Sequence, residues 1–375
     1  MNTARKVSFA QVRRIVCPLD RPFRSGIHNI EAIHNVVVEL SDGPHGSSPE
    51  ETRTGIGYTF AFNQADTAAV FALAVDLAKA VVGQPVGEVR AHWSRAWSRI
   101  NFIGHAGASV MALAAVDMAL WDLHARLAGM PLHSLLGAPA GRWPVYASGG
   151  SLALSVDELR GEAERYRAQG YRGYKFRVGQ ADCGRDEERV AAVREQVGPE
   201  FTLMVDANQA WTRASALRAC AALEPYRLAW IEEPLSADDF EGMAELRSRV
   251  GTPIAAGETG YGWRGMLDLL RAGAVDILQP DLMRCGGVTP FLSVASLAEA
   301  FSVTVMPHLF AETVGELLGL FPAGAMIEYF EGWFDHLFGP QLIGAGLLAP
   351  AAEVGLGLSL SERAESLTVE AVQLH

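Results

Sequence analysis

The most constraining feature of the sequence is a series of short, apolar, β-rich segments that recurs from Pro144 onward. Each segment is followed by a stretch with the apolar periodicity of a helix. Comparable positions in successive segments lie 20 to 31 residues apart. These positions are Tyr146, Lys175, Asp206, Glu232, Glu258, Asp281, His308 and Glu328. One strand, one helix and two short loops need a length of this order, so the spacing predicts repeated β–α units.

Eight such strands with right-handed crossovers are what a closed parallel barrel requires. The predicted strands span 145–147, 173–177, 201–206, 229–232, 253–258, 275–281, 303–308 and 325–329. The alternative is a doubly wound open sheet, which often has a glycine-rich phosphate-binding turn after its first strand. Gly149-Gly150-Ser151 matches such a turn only weakly. The barrel is therefore the favoured α/β fold.

Residues 1–140 have a different pattern and predict a separate unit. Strands are predicted at 36–40 and 55–60, joined by a polar connection at 41–54 that is either a mobile lid or a long hairpin connection. Apolar residues at helical spacing follow. The stretch 107–127 is apolar on most faces, which predicts a buried helix at the junction with the barrel.

The composition is that of a globular protein, and the net charge excludes two classes of partner. Of the 375 residues, 49% are hydrophobic and 20% are charged, values that allow a large core and argue against disorder. Lys and Arg number 31 against 43 Asp and Glu, so the formal net charge is −12. Nucleic acids and acidic membrane surfaces favour basic proteins, so neither is expected as a partner. A small anionic substrate remains compatible with the charge, because a bound metal reverses the local sign of a pocket.

The cysteines and the N-terminus indicate a cytoplasmic protein. The four cysteines are too widely spaced for a C-x-x-C pair and are Cys17, Cys183, Cys220 and Cys285. Neither a disulfide framework nor a thiolate zinc site is expected from this spacing. The N-terminal residues lack the apolar core of a secretory signal. No uninterrupted apolar run reaches the roughly 18 residues of a membrane-spanning helix.

An ionisable residue lies at or near the C-terminal end of every predicted barrel strand after the first. These residues are Lys175, Asp206, Glu232, Glu258, Asp281, His308 and Glu328. In a parallel barrel all of these strand ends lie on one face, and that face holds the active site. The arrangement therefore predicts a catalytic centre rather than surface decoration.

Three consecutive predicted strands end in the carboxylates Asp206, Glu232 and Glu258. Taken singly, each residue could instead cap the N-terminus of a helix. Three carboxylates that converge on one point repel one another unless a cation neutralises them. An all-oxygen ligand set suits Mg²⁺, which keeps coordination positions for water or substrate oxygens. The sequence therefore predicts a magnesium site.

Lys175 and Arg177 are two positions apart on one predicted strand, so their side chains point to the same side of the sheet. Two cations inside a barrel need anions nearby. The carboxylates or an anionic substrate would supply them. With the opposite strand parity, both side chains would extend outward along helix surfaces instead.

A histidine and an aspartate end neighbouring strands and form a candidate general base. A lone histidine such as His308 is commonly structural, but Asp281 would accept its N–H, fix its tautomer and stabilise the protonated ring. Glu328 lies one strand further along. If burial raises its pKa, Glu328 could donate a hydrogen bond to a substrate carboxylate; otherwise it would pair with a nearby Lys or Arg.

Six segments, in their order and spacing, resemble the enolase superfamily and, within it, the mandelate racemase subgroup. They are Lys175-Phe176-Arg177, Val205-Asp206-Ala207-Asn208-Gln209, Trp230-Ile231-Glu232-Glu233-Pro234, Ala256-Gly257-Glu258, Gln279-Pro280-Asp281 with Gly286-Gly287-Val288, and Pro307-His308-Leu309-Phe310. The resemblance implies a modified TIM barrel, (β/α)7β, over 141–340. It also implies an α+β capping domain formed by 1–140 and completed by the C-terminal segment 341–375.

The same resemblance implies how the site would work. Mg²⁺ would bind Asp206, Glu232 and Glu258, the His308–Asp281 pair would be the base, and Glu328 would lie near the substrate carboxylate. The subgroup's shared step is removal of the proton next to a carboxylate, with Mg²⁺, Lys175 and Glu328 stabilising the charge that develops. Because the subgroup commonly assembles from identical chains, a homo-oligomer is expected.

The chain departs from the subgroup's pattern at Arg177, where a second lysine often acts as a base on the opposite face of the substrate. A guanidinium is hard to deprotonate, so it makes a poor second base. A racemase needs acid and base groups on both faces. A dehydratase needs a base for the α-proton and an acid for the departing β-hydroxyl, and His308 could serve as both. The predicted function is therefore a Mg²⁺-dependent hydro-lyase that converts an acid sugar or related hydroxy acid into a 2-keto-3-deoxy acid.

Two alternatives belong to other functional classes. One is a racemase or epimerase of an α-substituted carboxylic acid, with Arg177 acting as an unusual base or as an anion clamp. The other is an inactive barrel kept as a binding module, which the joint presence of the metal carboxylates and the His308–Asp281 pair argues against.

Substrate specificity is expected from loops of the capping domain that reach over the strand ends. The candidate substrate-binding residues are Arg24, His28 and Tyr58 from that domain and Asn208 from the barrel. The alternative for the three capping-domain residues is that they are ordinary solvated loop residues.

Overall fold

The computed structural model describes residues 5–44, 52–180, 182–322, 324–341, 343–349 and 354–375. The N-terminal region contains β1 (Phe9–Arg24), β2 (Asn29–Ser41), β3 (Thr54–Ala61), α1 (Gln64–Val81), α2 (Val89–Arg99), α3 (Ala108–Ala128) and α4 (Leu132–Leu135). The next part contains β4 (Trp143–Ser148), α5 (Val156–Ala168), β5 (Gly173–Arg177), α6 (Cys183–Val197), β6 (Thr202–Asp206), α7 (Arg213–Leu223), β7 (Ile231–Glu232), α8 (Phe240–Arg249), β8 (Ile254–Ala256) and α9 (Gly262–Ala272). The remaining elements are β9 (Ile277–Leu278), α10 (Leu282–Cys285), α11 (Val288–Phe301), β10 (Thr304–Val305), α12 (Ala311–Val314), β11 (Ile327–Tyr329), α13 (Asp335–Phe338), β12 (Ile343–Gly344), β13 (Leu347–Leu348), α14 (Glu362–Ser366) and β14 (Thr368–Leu374).

The barrel strands run parallel in the order β4-β5-β6-β7-β8-β9-β10, and β11 pairs in parallel with β4. Helices α5 to α12 lie in the connections between consecutive strands. Across the β10–β11 side of the ring, the backbone N–H of Leu309 donates to Oε2 of Glu328 at 3.1 Å. The predicted modified TIM barrel is confirmed.

Several barrel strands are shorter than the sequence predicts. Strand β9 covers only Ile277–Leu278 and β10 only Thr304–Val305, where 275–281 and 303–308 were expected. The residues that follow leave the hydrogen-bonded ladder and run on into loops. The polar residues at these ends therefore sit just past the strands, where backbone geometry can aim their side chains at one another.

The capping sheet has the order β14-β1-β2-β3 and is antiparallel throughout. Strand β1, which the sequence pattern did not predict, is 16 residues long and pairs with both β2 and β14. Ser41 pairs with Thr54, so the polar connection between β2 and β3 joins a hairpin. Residues 45–51 of the connection considered as a lid lie outside the described residues.

Strand β3 packs between a helix and the barrel loops, because its two faces carry different residues. Gly57 approaches α3 so closely that a Cβ atom there would lie 2.0 Å from the carbonyl oxygen of Ala115, an approach that only glycine allows. On the opposite face of β3, the rings of Tyr58 and Phe60 pack on Phe310, and their ring centres lie 5.0 and 5.8 Å from the ring centre of Phe310. The sheet thereby rests on the loop that follows β10.

Helix α3 is the buried junction helix that the sequence predicts. Its length and hydropathy alone would suit a membrane span. However, 83% of its most apolar stretch of 18 residues is buried inside the protein, as in a core helix. Asp117 accepts the N–H of Thr289 at 2.8 Å and its hydroxyl at 2.6 Å. Trp121 donates its Nε1–H to the same hydroxyl at 2.9 Å. These bonds attach α3 to the start of the barrel helix α11.

The C-terminal segment contacts both the barrel and the capping region. The β12–β13 hairpin pairs through Leu347 and Leu348 with Pro144 and Trp143 of β4, so this part belongs with the barrel. Further along, the Leu356 N–H donates to Asp122 Oδ1 and Arg126 Nη2 donates to the carbonyl oxygen of Leu358, both contacts with α3 of the capping region. The final strand, Thr368–Leu374, pairs with β1 of the capping sheet. Strand β14 thus hydrogen-bonds to the edge of β1 that faces away from β2.

Candidate active site

The strand register brings the polar residues of three neighbouring strands side by side. Arg177 of β5 pairs with Asp206 of β6, and Asp206 pairs with Glu232 of β7. Glu258 lies two residues past the end of β8. Asp206 and Glu232 are completely buried, and the Glu258 side chain is 12% exposed. The parallel arrangement thus gathers them at the C-terminal face of the barrel.

Asp206, Glu232 and Glu258 form a carboxylate cluster that fits a divalent cation. One ligand oxygen from each lies within 4.8 Å of the others. Burial, together with the neighbouring carboxylates, raises the pKa of Glu232 to about 7 even though Lys175 opposes the shift. A hard cation relieves this repulsion, and an all-oxygen set is the donor set that Mg²⁺ prefers.

Each carboxylate of this cluster also faces a basic side chain. Lys175 Nζ lies 2.5 Å from Glu232 Oε1 and 2.8 Å from Glu328 Oε1. Burial opposes the charge of Lys175, but Glu232 and Glu328 outweigh burial and raise its pKa. Lys175 is therefore a fixed cation at the floor of the site and not a base.

Arg177 is held from four directions. Its Nη1 donates to Ser148 Oγ at 2.8 Å, and its Nε lies 3.5 Å from Asp206 Oδ2. Its guanidinium carbon lies 5.1 Å from the ring centres of both Phe23 of the capping domain and Phe330 of the barrel, and the two rings contact each other edge to face. Burial opposes its charge, but the surrounding carboxylates raise the pKa of Arg177 further. Arg177 cannot serve as a base in this setting.

The histidine and aspartate form a hydrogen-bonded pair. His308 Nδ1 lies 2.7 Å from Asp281 Oδ2, which leaves Nε2 directed toward Glu258 Oε2 at 3.4 Å. Burial disfavours the imidazolium, but Glu258 and the hydrogen bond to Asp281 raise the pKa of His308 to about 9. Glu258 is thus shared between the cation cluster and the histidine. A cation bound to Glu258 would neutralise the charge that favours the imidazolium and so lower the pKa of His308 toward the range in which the ring accepts a proton.

The surroundings of Glu328 set its charge state. Burial favours its neutral form, but Lys175, His308 and Arg177 lower its pKa to about 2. Glu328 also accepts the backbone N–H of Leu309 at 3.1 Å. The three cations outweigh burial and favour the ionised carboxylate, so the geometry matches the alternative expectation, a pairing of Glu328 with a nearby Lys or Arg. Glu328 is a counter-ion that holds Lys175.

Asn208 lies beside the cation cluster and orients one of its members. Its Nδ2 donates to Asp206 Oδ2 and its backbone N–H donates to Asp206 Oδ1, both at 2.8 Å. A positive φ of 43° at Asn208 makes this double contact possible. Its side-chain oxygen is buried without a hydrogen-bond partner, so it remains available to a ligand.

The loop at 25–28 of the capping domain reaches the strand ends. A Cβ atom on Gly26 would lie 3.3 Å from the carbonyl oxygen of Ala207, which follows β6. His28 is exposed, with its ring 5.1 Å from Phe62. Burial and the nearby Arg284 lower the pKa of His28, while Glu258 acts in the opposite direction. The loop therefore borders the site on the side of the capping domain.

Arg24 and Tyr58 are placed differently. Arg24 is exposed, and its backbone N–H donates to Ser151 Oγ in the loop after β4 at 2.9 Å. Tyr58 is completely buried, and its hydroxyl donates to Glu312 Oε2 at 2.9 Å. The expectation that Tyr58 binds substrate is wrong, because its ring packs in the interface and its hydroxyl is already used.

Three residues for which the sequence predicted no role hold the site together. Gln279 Nε2 donates to Glu232 Oε2 at 2.7 Å, and Trp230 Nε1 donates to the same oxygen at 3.1 Å. Arg284 Nη1 donates to the carbonyl oxygen of Glu258 at 2.9 Å. Each lies within three residues of a predicted site residue along the chain. That proximity to a strand end was the signal that could have identified them.

Comparison with known families gives matches over most of the chain. Residues 10–137 match the family model described as the mandelate racemase/muconate lactonizing enzyme N-terminal domain. Residues 158–364 match the model described as enolase C-terminal domain-like. The two matches fall on the capping region and on the barrel.

Individual relatives agree with these matches. An L-talarate/galactarate dehydratase of Salmonella typhimurium is 37% identical over 317 residues, which is 84% of this chain and 79% of the relative. A 3,6-anhydro-α-L-galactonate cycloisomerase of Streptomyces coelicolor is 34% identical over 343 residues, 88% of this chain and 95% of that protein. The crystal structure of the Salmonella dehydratase with Mg and L-lyxarohydroxamate has a TM-score of 0.91 at 32% identity and covers 98% of this chain and 94% of that chain.

Proposed function

The chain belongs to the mandelate racemase subgroup of the enolase superfamily, and we propose that it is a Mg²⁺-dependent hydro-lyase that dehydrates an acid sugar to a 2-keto-3-deoxy acid. One observation carries the choice of dehydration: among the described residues the site offers one candidate base, His308, because Arg177 is locked where a second base would stand. The Salmonella relative is named a dehydratase, and its structure contains Mg.

Asp206, Glu232 and Glu258 would hold the Mg²⁺ ion. When bound, the ion supplies charge stabilisation at the substrate carboxylate, whose neighbouring proton is otherwise too weakly acidic to remove. Lys175 would donate to the same carboxylate from the floor of the site, and Glu328 keeps its ammonium group in place. A fixed cation in a buried site stabilises developing negative charge without reorganisation.

His308 would carry both proton transfers. Its Nε2 takes the C2 proton, while Asp281 holds Nδ1 and balances the charge of the imidazolium. The same Nε2–H then donates to the C3 hydroxyl, which leaves as water as the C2–C3 double bond forms. The resulting enol takes up a proton at C3 and becomes the 2-keto-3-deoxy acid. Substrate and product thus differ by one water molecule.

Racemisation is disfavoured on this scaffold by Arg177. A racemase must deliver a proton to the face opposite His308. The Arg177 guanidinium keeps its proton at neutral pH, and its Nη1 is committed to Ser148. A dehydratase that uses His308 for both proton transfers needs no proton transfer from position 177.

The substrate class is a small polyhydroxylated carboxylate. The walls that would contact it include Asn208, with its unpartnered side-chain oxygen, and His28 on the capping loop. Arg24 extends from the strand next to that loop and is a third candidate for contact with the polar end of the substrate. Hydroxyl groups suit these polar partners, because a site built to hydrogen-bond them rejects substrates that lack them.

The direct test is an assay with a panel of aldonate and aldarate sugars. Chelator-treated protein is incubated with each sugar, with and without Mg²⁺, and 2-keto-3-deoxy acids are detected as semicarbazones. At least one sugar should give product only when Mg²⁺ is present. No product from any sugar, together with racemisation of another α-substituted acid, would overturn the assignment.

We also propose that the protein forms a homo-oligomer. Two apolar side chains after α2 support this, Phe102 at 98% and Ile103 at 58% exposed. Exposed apolar side chains that cluster often mark an interface. Light scattering during size-exclusion chromatography should give a mass that is a multiple of the chain mass, and F102D should reduce it. A monomeric wild type would contradict the proposal.

The proposed compartment is the cytoplasm. The cysteines are free thiols, and Cys17, Cys220 and Cys285 are buried without disulfide partners. This usage suits a reducing environment. Fractionation of cells that express the protein should recover it with cytoplasmic markers, and recovery in a secreted fraction would contradict this.

A further inference from the structure

We propose that Arg284 is a positioning residue that fixes Glu258 and the His308–Asp281 pair relative to each other. Arg284 lies on α10, three residues after Asp281, and reaches across to the end of β8. The proposal rests on the proposed roles of Glu258 as a cation ligand and His308 as the base.

Arg284 contacts both partners at once. Its backbone N–H donates to Asp281 Oδ1 at 2.7 Å. Its Nη1 donates to the carbonyl oxygen of Glu258 at 2.9 Å and lies 3.5 Å from Glu258 Oε1. One residue therefore contacts the aspartate through its backbone and the metal carboxylate through its side chain.

These contacts close a ring of four residues. Arg284 contacts Glu258, whose Oε2 lies 3.4 Å from His308 Nε2. His308 Nδ1 lies 2.7 Å from Asp281 Oδ2, and the other oxygen of Asp281 accepts the Arg284 N–H. Because both oxygens of Asp281 are used, a shift of Arg284 moves the aspartate that orients the histidine.

Glu258 needs such support because the sheet does not hold it. Strand β8 ends at Ala256, and Gly257 has a φ of 140°, so the chain turns out of the ladder before Glu258. The carbonyl oxygen of Glu258 is bonded instead by Arg284 Nη1. Without Arg284, the pull of His308 Nε2, 3.4 Å from Glu258 Oε2, is no longer balanced by a cation beside Oε1. The carboxylate would turn toward the imidazolium and away from the other two cation ligands.

The test compares R284M and R284K with a matched pair, R247M and R247K. Arg247 makes similar contacts remote from the site, with Nη1 on the carbonyl oxygen of Gly273 at 3.2 Å and Nε on Asp276 Oδ1 at 2.6 Å. Full-length proteins are stripped with a chelator, and Mg²⁺ alone is titrated by isothermal calorimetry without substrate. Circular dichroism and thermal melting establish which variants are folded.

R284M should raise the Mg²⁺ dissociation constant by about 10- to 100-fold, the usual cost of losing a residue that orients a metal ligand. R284K should lie between R284M and the wild type, and kcat should fall in the same order. R247M and R247K should bind Mg²⁺ like the wild type. A folded R284M with the wild-type dissociation constant would overturn the proposal.

If R284M does not fold, R284K and R247K decide the question. Weaker Mg²⁺ binding by R284K than by R247K supports the positioning role, and equal binding refutes it. Failure of the proposed function looks different in the same experiment, because the wild type itself would then not bind Mg²⁺.

Discussion

Two glutamates of the same site illustrate that surroundings, not residue type, set the ionisation of single residues. Burial and the facing carboxylates raise the pKa of Glu232 to about 7, despite the ammonium of Lys175. Glu328 contacts that same ammonium and is equally buried, yet its pKa is lowered to about 2, because His308 and Arg177 add to the effect of Lys175. A divalent cation bound at the cluster would therefore favour the ionised form of Glu232, whereas Glu328 already has three counter-ions.

The substitution His308→Asn should separate proton transfer from cation binding. Asn208, Gln279 and Trp230 support the cation ligands without involving His308. We expect kcat to fall by at least about 10²-fold, the typical contribution of a general base. The Mg²⁺ dissociation constant should stay within a few-fold of the wild type. Turnover at the wild-type rate, measured with calorimetry on the same sample, would rule out His308 as the base.

The sequence could predict the positions of the chemical groups but not their states. Lys175, Asp206 and His308 each end an apolar run, so the periodicity and the motifs indicate them directly. The charge of Glu328 depends on two cations of β5 and one in the loop after β10, which no local pattern contains. Arg284 was missed because its partner Glu258 lies 26 residues away along the chain.

At the scale of elements, the packing of β3 on α3 depends on the absence of side chains. The backbone of β3 lies so close to α3 that a Cβ atom on Gly55 would come 2.3 Å from the carbonyl oxygen of Ala119. Because backbone atoms cannot move aside as a flexible side chain can, the glycines are required here. The sequence motif at 55–57 indicated a strand, but not which helix would press on it.

The substitution Gly57→Ala should destabilise the protein by about 3 kcal/mol or more, the upper range for overpacking, since its Cβ would lie 2.0 Å from a backbone oxygen. Gly161→Ala is the matched control. Gly161 lies inside α5, and a methyl group added there would meet open space, so this change should stabilise by about 0.5 to 1 kcal/mol. Urea denaturation of both variants measures the difference. Equal effects would show that the β3–α3 contact is not tight.

The bond between α3 and α11 should make stability depend on pH. Burial raises the pKa of Asp117 from 3.8 to about 7, although the bonds from Thr289 oppose the shift. Since the folded state binds the proton more tightly than the unfolded state, this contribution is complete below pH 3.8 and is lost as the pH rises to about 7.

The difference in unfolding free energy between the wild type and Asp117→Asn should therefore fall between about pH 5 and pH 7, by up to about 1.4 kcal/mol per pH unit. Denaturant titrations of the two proteins at several pH values measure this slope. A difference that is constant with pH would contradict the raised pKa.

At the scale of the whole molecule, the capping domain and the barrel form one site through reciprocal contacts. Phe23 of β1 contacts the guanidinium of Arg177, and Tyr58 of β3 packs against Phe310, two residues after His308. The barrel could be predicted from repeated strand–helix spacing. The pairing of Leu347 with Pro144 could not, because it joins residues that most of the barrel sequence separates.

Cation binding should stabilise the whole fold, because the carboxylate cluster exists only when the barrel is formed. Mg²⁺ at about 100 times its dissociation constant should add about 2.7 kcal/mol and raise the melting temperature of chelator-treated protein. Glu258→Gln removes one ligand charge and should lose most of this rise. A melting temperature that does not respond to Mg²⁺ would argue against the cluster as a metal site.

The most direct measurement of the central claim is proton NMR of the reaction in D₂O with Mg²⁺ and a sugar acid that the panel identifies. Dehydration predicts a 2-keto-3-deoxy acid that carries one solvent deuterium at C3. His308→Asn and chelator-treated protein should give no product. The contradicting result is deuterium at C2 of the recovered sugar acid with formation of its C2 epimer and no keto acid, since that is the outcome of racemisation by two bases.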